Sequence, residues 1–77
     1  MNSKLVLRYD KVGDILYIDK CAPYKEQDAE ELEDEIGIRL NPTSGEIENV
    51  EINFFSKRVA DGESITVPVD ATLSLSE

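Results

Sequence analysis

Residues 35–55, EIGIRLNPTSGEIENVEINFF, contain the clearest folding signal in the chain. Apolar side chains alternate through 36–40 and again through 50–54, and a period of two is typical of a strand with one buried face. The segment NPTSGE between them is a turn signal, with Gly45 suited to the left-handed position. The sequence therefore predicts an antiparallel hairpin here.

The second strand of this hairpin contains an irregularity. Ile47 lies one residue out of register with the alternation that begins at Val50, so we expect a β-bulge at 48–49. The predicted core face of the hairpin is formed by its alternating apolar residues, which are Ile36, Ile38, Leu40, Val50, Ile52 and Phe54.

The chain begins with another hairpin signal. Residues 4–10 alternate, and 15–19 are rich in β-branched and aromatic side chains. In the connection, Gly13 can adopt a positive φ, and Asp10 or Asp14 can accept backbone N–H bonds. The buried side of the first strand is predicted to carry Leu5, Leu7 and Tyr9.

A run of carboxylates follows Pro23, which ends the second strand because proline cannot donate to a ladder. One interpretation is a helical turn with Asp28 as N-cap and Glu31 at capping-box spacing. The alternative is an extended segment that leads into the strand at 36–40 and places Leu32 on its apolar face. The carboxylates of this run are Glu26, Asp28, Glu30, Glu31, Glu33, Asp34 and Glu35.

The C-terminal part predicts a short helical turn and a strand. Ser56 can cap a turn through Ala60 that Gly62 ends. Residues 65–75 alternate almost perfectly, and Pro68 restricts such a strand to a sheet edge. A long apolar edge strand favours pairing with another chain, so we expect a homodimer.

These patterns predict a single mainly β domain over residues 1–77, α+β at most. Antiparallel hairpins form a four- to five-stranded sheet with one short helical turn. The fifth strand is expected in the C-terminal segment 59–77, pairing within or between subunits. A chain of 77 residues buries a limited core, so a second copy of itself would add stability.

Composition excludes several functions. With 8 basic and 17 acidic residues the net charge is −9, which opposes nucleic-acid binding and favours a basic partner. The chain has no histidine, and Cys21 is its single cysteine, so we expect no disulfide, metal or cofactor. Without a partner group to activate it, Cys21 is expected to be a small buried apolar residue. No apolar run reaches the length of a signal peptide or membrane span, which favours the cytoplasm.

The order of these signals resembles a small prokaryotic family called domain of unknown function 2283. The resemblance covers residues 5–58: a YDxxxDxLYI-like opening, an acidic segment, a glycine-containing hairpin and a closing Ser-Lys-Arg. Glu35 stands where an aspartate is usual, and Phe54-Phe55 replaces smaller residues. The matching motif residues, expected to be structural, are Tyr9, Asp10, Asp14, Leu16, Tyr17, Ile18, Gly37, Ser56, Lys57 and Arg58. Similar proteins are sometimes encoded beside small basic ribonuclease-type toxins, so the resemblance implies an antitoxin-like role.

The acidic run is the candidate partner-binding feature. Its carboxylates can form a surface for a basic protein, or they can belong to a solvated connector. A calcium loop is disfavoured because the run lacks the glycine such a loop needs at its sixth position. The candidate residues are Glu30, Glu31, Glu33, Asp34 and Glu35.

Two further clusters have catalytic or binding alternatives. Asp10 and Asp14 resemble a carboxylate pair for hydrolysis, but turn capping explains them better, since nothing else such chemistry needs is present. The basic residues of 56–58 are expected to pair with carboxylates of the hairpin at 35–55 or to lie at a subunit contact, with a phosphate site as the alternative. The favoured function is therefore a non-catalytic, self-associating β module; the alternatives are an antitoxin-like inhibitor of a basic ribonuclease and, last, a hydrolase.

Overall fold

The computed structural model describes residues 4–76, and its elements follow one another along the chain. They are β1 (Val6–Asp10), β2 (Ile15–Asp19), β3 (Asp28–Leu32), a 3₁₀ turn (Glu33–Glu35), β4 (Ile36–Leu40), β5 (Ile47–Asn53) and α1 (Phe55–Arg58). The strands form one antiparallel sheet in the order β1-β2-β5-β4-β3. The mainly β prediction, with one short helix, is confirmed.

The predicted hairpin is confirmed as β4 and β5, and in the sheet its two strands lie between β2 and β3. Arg39 pairs with Asn49 while the next residue, Leu40, pairs with Ile47, so Glu48 is the extra residue of a β-bulge. Gly45 adopts the left-handed conformation at φ 75°. The bulge and the turn are therefore both confirmed.

The core is small and centred on β4 and β5. The predicted core face is confirmed except at its end, where Phe54 is exposed and Phe55 packs against the core instead. Phe54 follows β5 in a left-handed conformation (φ 56°), which takes its side chain out of the strand alternation. In the described part of the chain, the buried apolar residues are Ile36, Ile38, Val50 and Ile52.

The strand β1 is confirmed, but the burial predicted for its apolar face is wrong. Leu7 is 60% exposed, and Leu5 and Tyr9 are also exposed. The C-terminal segment contacts the sheet through Ile65 and Val67, which pack against the core cluster on β4 and β5. Because β1 is an edge strand at a distance from that cluster, its apolar face stays in contact with solvent.

The connection from β1 to β2 corrects the role predicted for Gly13. The positive φ lies at Asp14 (58°), and Asp10 caps the turn by accepting from the N–H groups of Val12 and Gly13. A Cβ on Gly13 would lie 2.7 Å from Oδ2 of Asp10. Glycine is needed here because the capping carboxylate approaches closely.

The acidic run is extended, so the helical interpretation with Asp28 as N-cap is wrong. Residues 28–32 form β3 and pair antiparallel with β4, and one 3₁₀ turn connects the two strands. Leu32 lies opposite Ile36, on the core face as predicted. An edge strand exposes each carboxylate to water, whereas a helix would place like charges on the same face.

The fifth strand of the sheet is β3, and the prediction of a fifth strand at the C-terminus is wrong for the single chain. Residues 63–76 form no strand with the rest of the described chain. Ile65 and Val67 pack against the core, while Leu73 and Leu75 are 80% and 88% exposed. Core packing rather than strand pairing thus holds the start of this segment, and its pairing with another subunit stays a prediction.

The predicted helical turn is present as α1, with its N-cap and its last residue each two positions earlier than expected. Its N-cap is Phe54 without a side-chain cap, so the cap predicted at Ser56 is wrong. Gly62 adopts φ 79° after the helix and donates its N–H to the carbonyl of Val59.

Candidate interaction surfaces

The motif residues at the two ends of the 5–58 segment meet around Asp14. Its Oδ1 accepts from the Tyr9 hydroxyl at 2.6 Å and from the Ser56 N–H at 3.0 Å, and its Oδ2 accepts from the Ser56 hydroxyl at 2.8 Å. Its backbone carbonyl also accepts from the N–H of Phe55. This Asp14 cluster attaches α1 to the first turn.

The hydrogen bonds of the Asp14 cluster shift the pKa values of its members. The Tyr9 hydroxyl and the two Ser56 donors stabilise the carboxylate and lower the pKa of Asp14. The same bond to Asp14 raises the pKa of Tyr9. Since Asp10 binds the turn backbone and Asp14 binds the helix, both carboxylates are occupied in structural contacts.

Arg58 joins the end of β5 to the turn after β3. Its Nη1 lies 2.9 Å from Oδ2 of Asp34, its Nη2 donates to the Asp34 carbonyl, and its Nε donates to the Asn53 carbonyl. The sequence predicts that the basic residues of 56–58 pair with carboxylates of the hairpin at 35–55, but Arg58 pairs with Asp34 in the turn just before that hairpin. The ammonium of Lys57 lies 5.8 Å from the centre of the Phe54 ring.

The remaining motif residues belong to the sheet. Leu16 packs against the core, and Ile18 does the same. On the opposite face, the Arg8 guanidinium lies 4.3 Å from the centre of the Tyr17 ring, directly across from it in the β1–β2 ladder. A Cβ on Gly37 would lie 3.4 Å from Oε2 of Glu51.

A buried polar network, which the sequence patterns did not indicate, fixes the loop after β2. Asn49 is 1% exposed; its amide donates to Oδ1 of Asp19 and to the carbonyl of Cys21, and its oxygen accepts from Gln27. Arg8 completes the network with an ion pair to Oδ2 of Asp19 at 2.6 Å. The one sequence feature that could have located this network is Asn49, a polar residue within the predicted bulge at 48–49.

The bulge residue Glu48 continues this network at the surface. Its carboxylate accepts from Tyr24 at 2.7 Å, from Gln27 at 3.0 Å and from Asn41 at 3.3 Å. The bond to Glu48 raises the pKa of Tyr24 to about 12, and the bonds from Tyr24 and Gln27 lower the pKa of Glu48. The bulge thus directs a carboxylate at the loop that precedes β3.

Cys21 is exposed, so its predicted role as a small buried residue is wrong. Partial desolvation and the nearby Glu48 carboxylate raise the pKa of its thiol. A raised pKa reduces the thiolate fraction at neutral pH and therefore its reactivity.

The candidate acidic residues are divided between an edge strand and a turn. Glu30 and Glu31 are exposed on β3 and point to opposite faces, because neighbours in a strand alternate. Asp34 pairs with Arg58, and its turn also contains Glu33 and Glu35. The run therefore presents an acidic sheet edge at β3, while Asp34 is neutralised by Arg58 of the same chain.

The two edges of the sheet differ in chemistry. The edge at β3 carries charged side chains, which is a common protection against pairing with another strand. The edge at β1 carries Val6, Leu7 and Tyr9, all substantially exposed. We refer to the exposed side chains of Leu5, Val6, Leu7 and Tyr9 as the β1 strip.

Comparison of the chain with protein-family models, with curated proteins and with solved structures gives no match. The resemblance to domain of unknown function 2283 therefore stays a prediction that rests on the motif residues. Within residues 4–76, no helix has the length and apolar character required to cross a membrane.

Proposed function

We propose that this protein is a non-catalytic β module that acts by protein–protein contact, with a second copy of itself as its partner. The observation that supports this role is the β1 strip. It places large apolar side chains on an unprotected sheet edge, where the sequence pattern requires a buried face.

The size of the core supports the same role. Among residues 4–76, four apolar side chains are buried, while Leu7 and Tyr9 remain about half exposed or more. Covering the β1 strip would remove that apolar area from water, at about 25 cal/mol per Å². Because a chain of this length has a small free energy of unfolding, burial of this area in a dimer would be a substantial fraction of it.

The carboxylates that resemble an acid–base pair support a structural rather than a catalytic assignment. Asp10 accepts bonds from its own turn and Asp14 from Ser56 and Tyr9. We therefore assign the motif to folding and the β1 strip to function, in the cytoplasmic setting that the sequence favours.

Sedimentation velocity of the full chain tests this proposal. We expect the mass of a dimer at micromolar concentration, with little change between low and high salt because the contact is apolar. A monomer at every concentration up to the millimolar range would contradict self-association.

An antitoxin-like role is a second candidate, and the acidic edge at β3 favours it. Glu30 and Glu31 are exposed on an edge strand whose backbone is open on one side, a geometry that suits an extended basic segment. The test is co-purification with the product of a short, basic neighbouring reading frame.

The comparison for that test uses a Glu30→Lys/Glu31→Lys variant, with Glu63→Lys/Asp70→Lys as the charge-matched control outside the edge. Binding that weakens in high salt and is lost only in the first variant supports this role. Equal binding by both variants, or no complex, argues against it.

A further inference from the structure

We propose that two copies of the chain pair antiparallel through β1, with the twofold axis at Leu7, and form one continuous ten-stranded sheet. This inference rests on the proposed self-association and names its contact. The first argument is the difference between the edges. Two β3 strands would bring Asp28, Glu30 and Glu31 of both copies together, and these like charges repel.

The β1 edge has the opposite character. Its outer side pairs with no other part of residues 4–76, and its side chains are mostly apolar. A symmetric dimer uses the same patch on both subunits, so the patch must be complementary to itself. Strand β1 meets that condition in one register better than in the neighbouring ones.

Leu7 defines this register. A twofold axis perpendicular to the sheet keeps core faces together, so pairs must join side chains of the same face. With the axis at Leu7, that residue lies opposite its own copy and Leu5 lies opposite Tyr9. Extension of β1 by two residues then places Lys4 opposite Asp10, which adds an attractive pair at each end.

The neighbouring registers are less favourable. An axis at Arg8 places two guanidinium groups opposite each other and Val6 opposite Asp10. An axis at Val6 places Lys4 opposite Arg8. Both arrangements oppose like charges, which destabilises an antiparallel pair.

The core face also becomes continuous in the Leu7 register. Within one chain Leu7 lies opposite Ile18 and Tyr9 opposite Leu16. Addition of the second β1 therefore places apolar side chains beside Leu7 and Tyr9, on the side that is exposed to solvent in the single chain.

Cysteine cross-linking in a Cys21→Ser background tests the register. Leu7→Cys should form a covalent dimer on mild oxidation or with a two-carbon bis-methanethiosulfonate, because the two thiols face each other. Leu5→Cys alone should not, whereas Leu5→Cys/Tyr9→Cys should. Val12→Cys, which is 99% exposed, controls for random collision.

Sedimentation of two charge variants tests the surface without a cross-link. Leu7→Lys should raise the dimer dissociation constant at least about tenfold, because it removes apolar contact and opposes two charges. Leu73→Lys/Leu75→Lys should leave it unchanged, with circular dichroism confirming the β fold of each variant.

The outcomes separate the two proposals. If the wild-type chain is a dimer but Leu7→Cys does not cross-link it, the β1 contact is contradicted while self-association stands. The same holds if the dimer dissociates in the Leu73→Lys/Leu75→Lys variant. A wild-type chain that stays monomeric overturns both.

Discussion

The Asp14 carboxylate accepts two hydrogen bonds from Ser56, a residue 42 positions further along the chain, through the backbone N–H and the hydroxyl. This contact attaches α1 to the turn between the first two strands. It gives a physical reason for an aspartate near the first turn and a serine after the last strand to depend on each other.

Ser56→Ala removes the hydroxyl that contacts Asp14 but leaves the backbone donor. We expect the free energy of unfolding to fall by about 1 kcal/mol, the usual net value of one such hydrogen bond near the surface. The pKa of Asp14, followed by NMR, should rise because one stabilising donor is lost. Ser64→Ala, at an exposed serine beyond α1, is the control. An unchanged Asp14 pKa would contradict this account.

Asn49→Ala should be the more damaging substitution. Asn49 is buried, and its removal leaves the Cys21 carbonyl without this donor and takes one hydrogen bond each from Asp19 and Gln27, which keep their bonds to Arg8 and Glu48. We expect a loss of about 3 kcal/mol in urea unfolding, since buried unpaired groups are costly. Asn53→Ala removes a single bond, to the Glu35 carbonyl, and should cost less than about 1 kcal/mol. An equal loss of unfolding free energy in Asn49→Ala and Asn53→Ala would contradict a stabilising role for the buried network.

Gly13→Ala and Asp10→Ala should not be additive. The new Cβ displaces the Asp10 carboxylate from the turn, so Gly13→Ala alone should cost about as much as Asp10→Ala, roughly 1 kcal/mol. In the Asp10→Ala background, Gly13→Ala should then cost little. A double-mutant cycle by urea denaturation measures the coupling. Strict additivity would show that Gly13 is required for another reason.

Acid should destabilise the fold through Asp14, Asp19 and Glu48. At Asp19, burial favours the neutral acid, but the bonds from Arg8 and Asn49 outweigh it and hold the pKa below 3.8. The pKa values of Asp14 and Glu48 are also lowered, from 3.8 and 4.5. A lowered folded-state pKa stabilises the protein above the unfolded value. The free energy of unfolding should therefore be constant near neutral pH and decrease below about pH 4.5. An increase on acidification would contradict these contacts.

Alkaline titration should reveal the raised pKa of Tyr24. Its bond to Glu48 raises its pKa to about 12, so the neutral phenol stabilises the fold below pH 10 and this contribution is lost as the pH rises through about 12. The ultraviolet absorbance of the tyrosinate ion should show an ionisation near pH 12 that disappears in Tyr24→Phe, whereas Tyr9, whose pKa is also raised, still titrates in that variant. Completion of the titration near pH 10 in the wild type would exclude the bond.

Much of the candidate site follows from residue type, but its geometry does not. The sequence predicts that Asp10 or Asp14 caps the first turn, and in the structure Asp10 does so. It does not indicate that Asp14 reaches α1, because that contact depends on β2 and β5 lying side by side. The network around Asn49 depends on the same pairing, since Asp19 and Asn49 are opposite each other across those strands.

Local sequence was enough to specify strands β1, β2, β4 and β5, the turn at Gly45, the bulge at 48–49 and the core face of the β4–β5 hairpin. These features depend on the two-residue period of a strand and on local backbone preferences, which neighbouring residues set. Tertiary structure alone decided which edge of the sheet is acidic, which is apolar, and that the C-terminal segment packs on the core without joining the sheet. Those outcomes depend on competition between distant segments for the same partners, and no local pattern records which segment prevails.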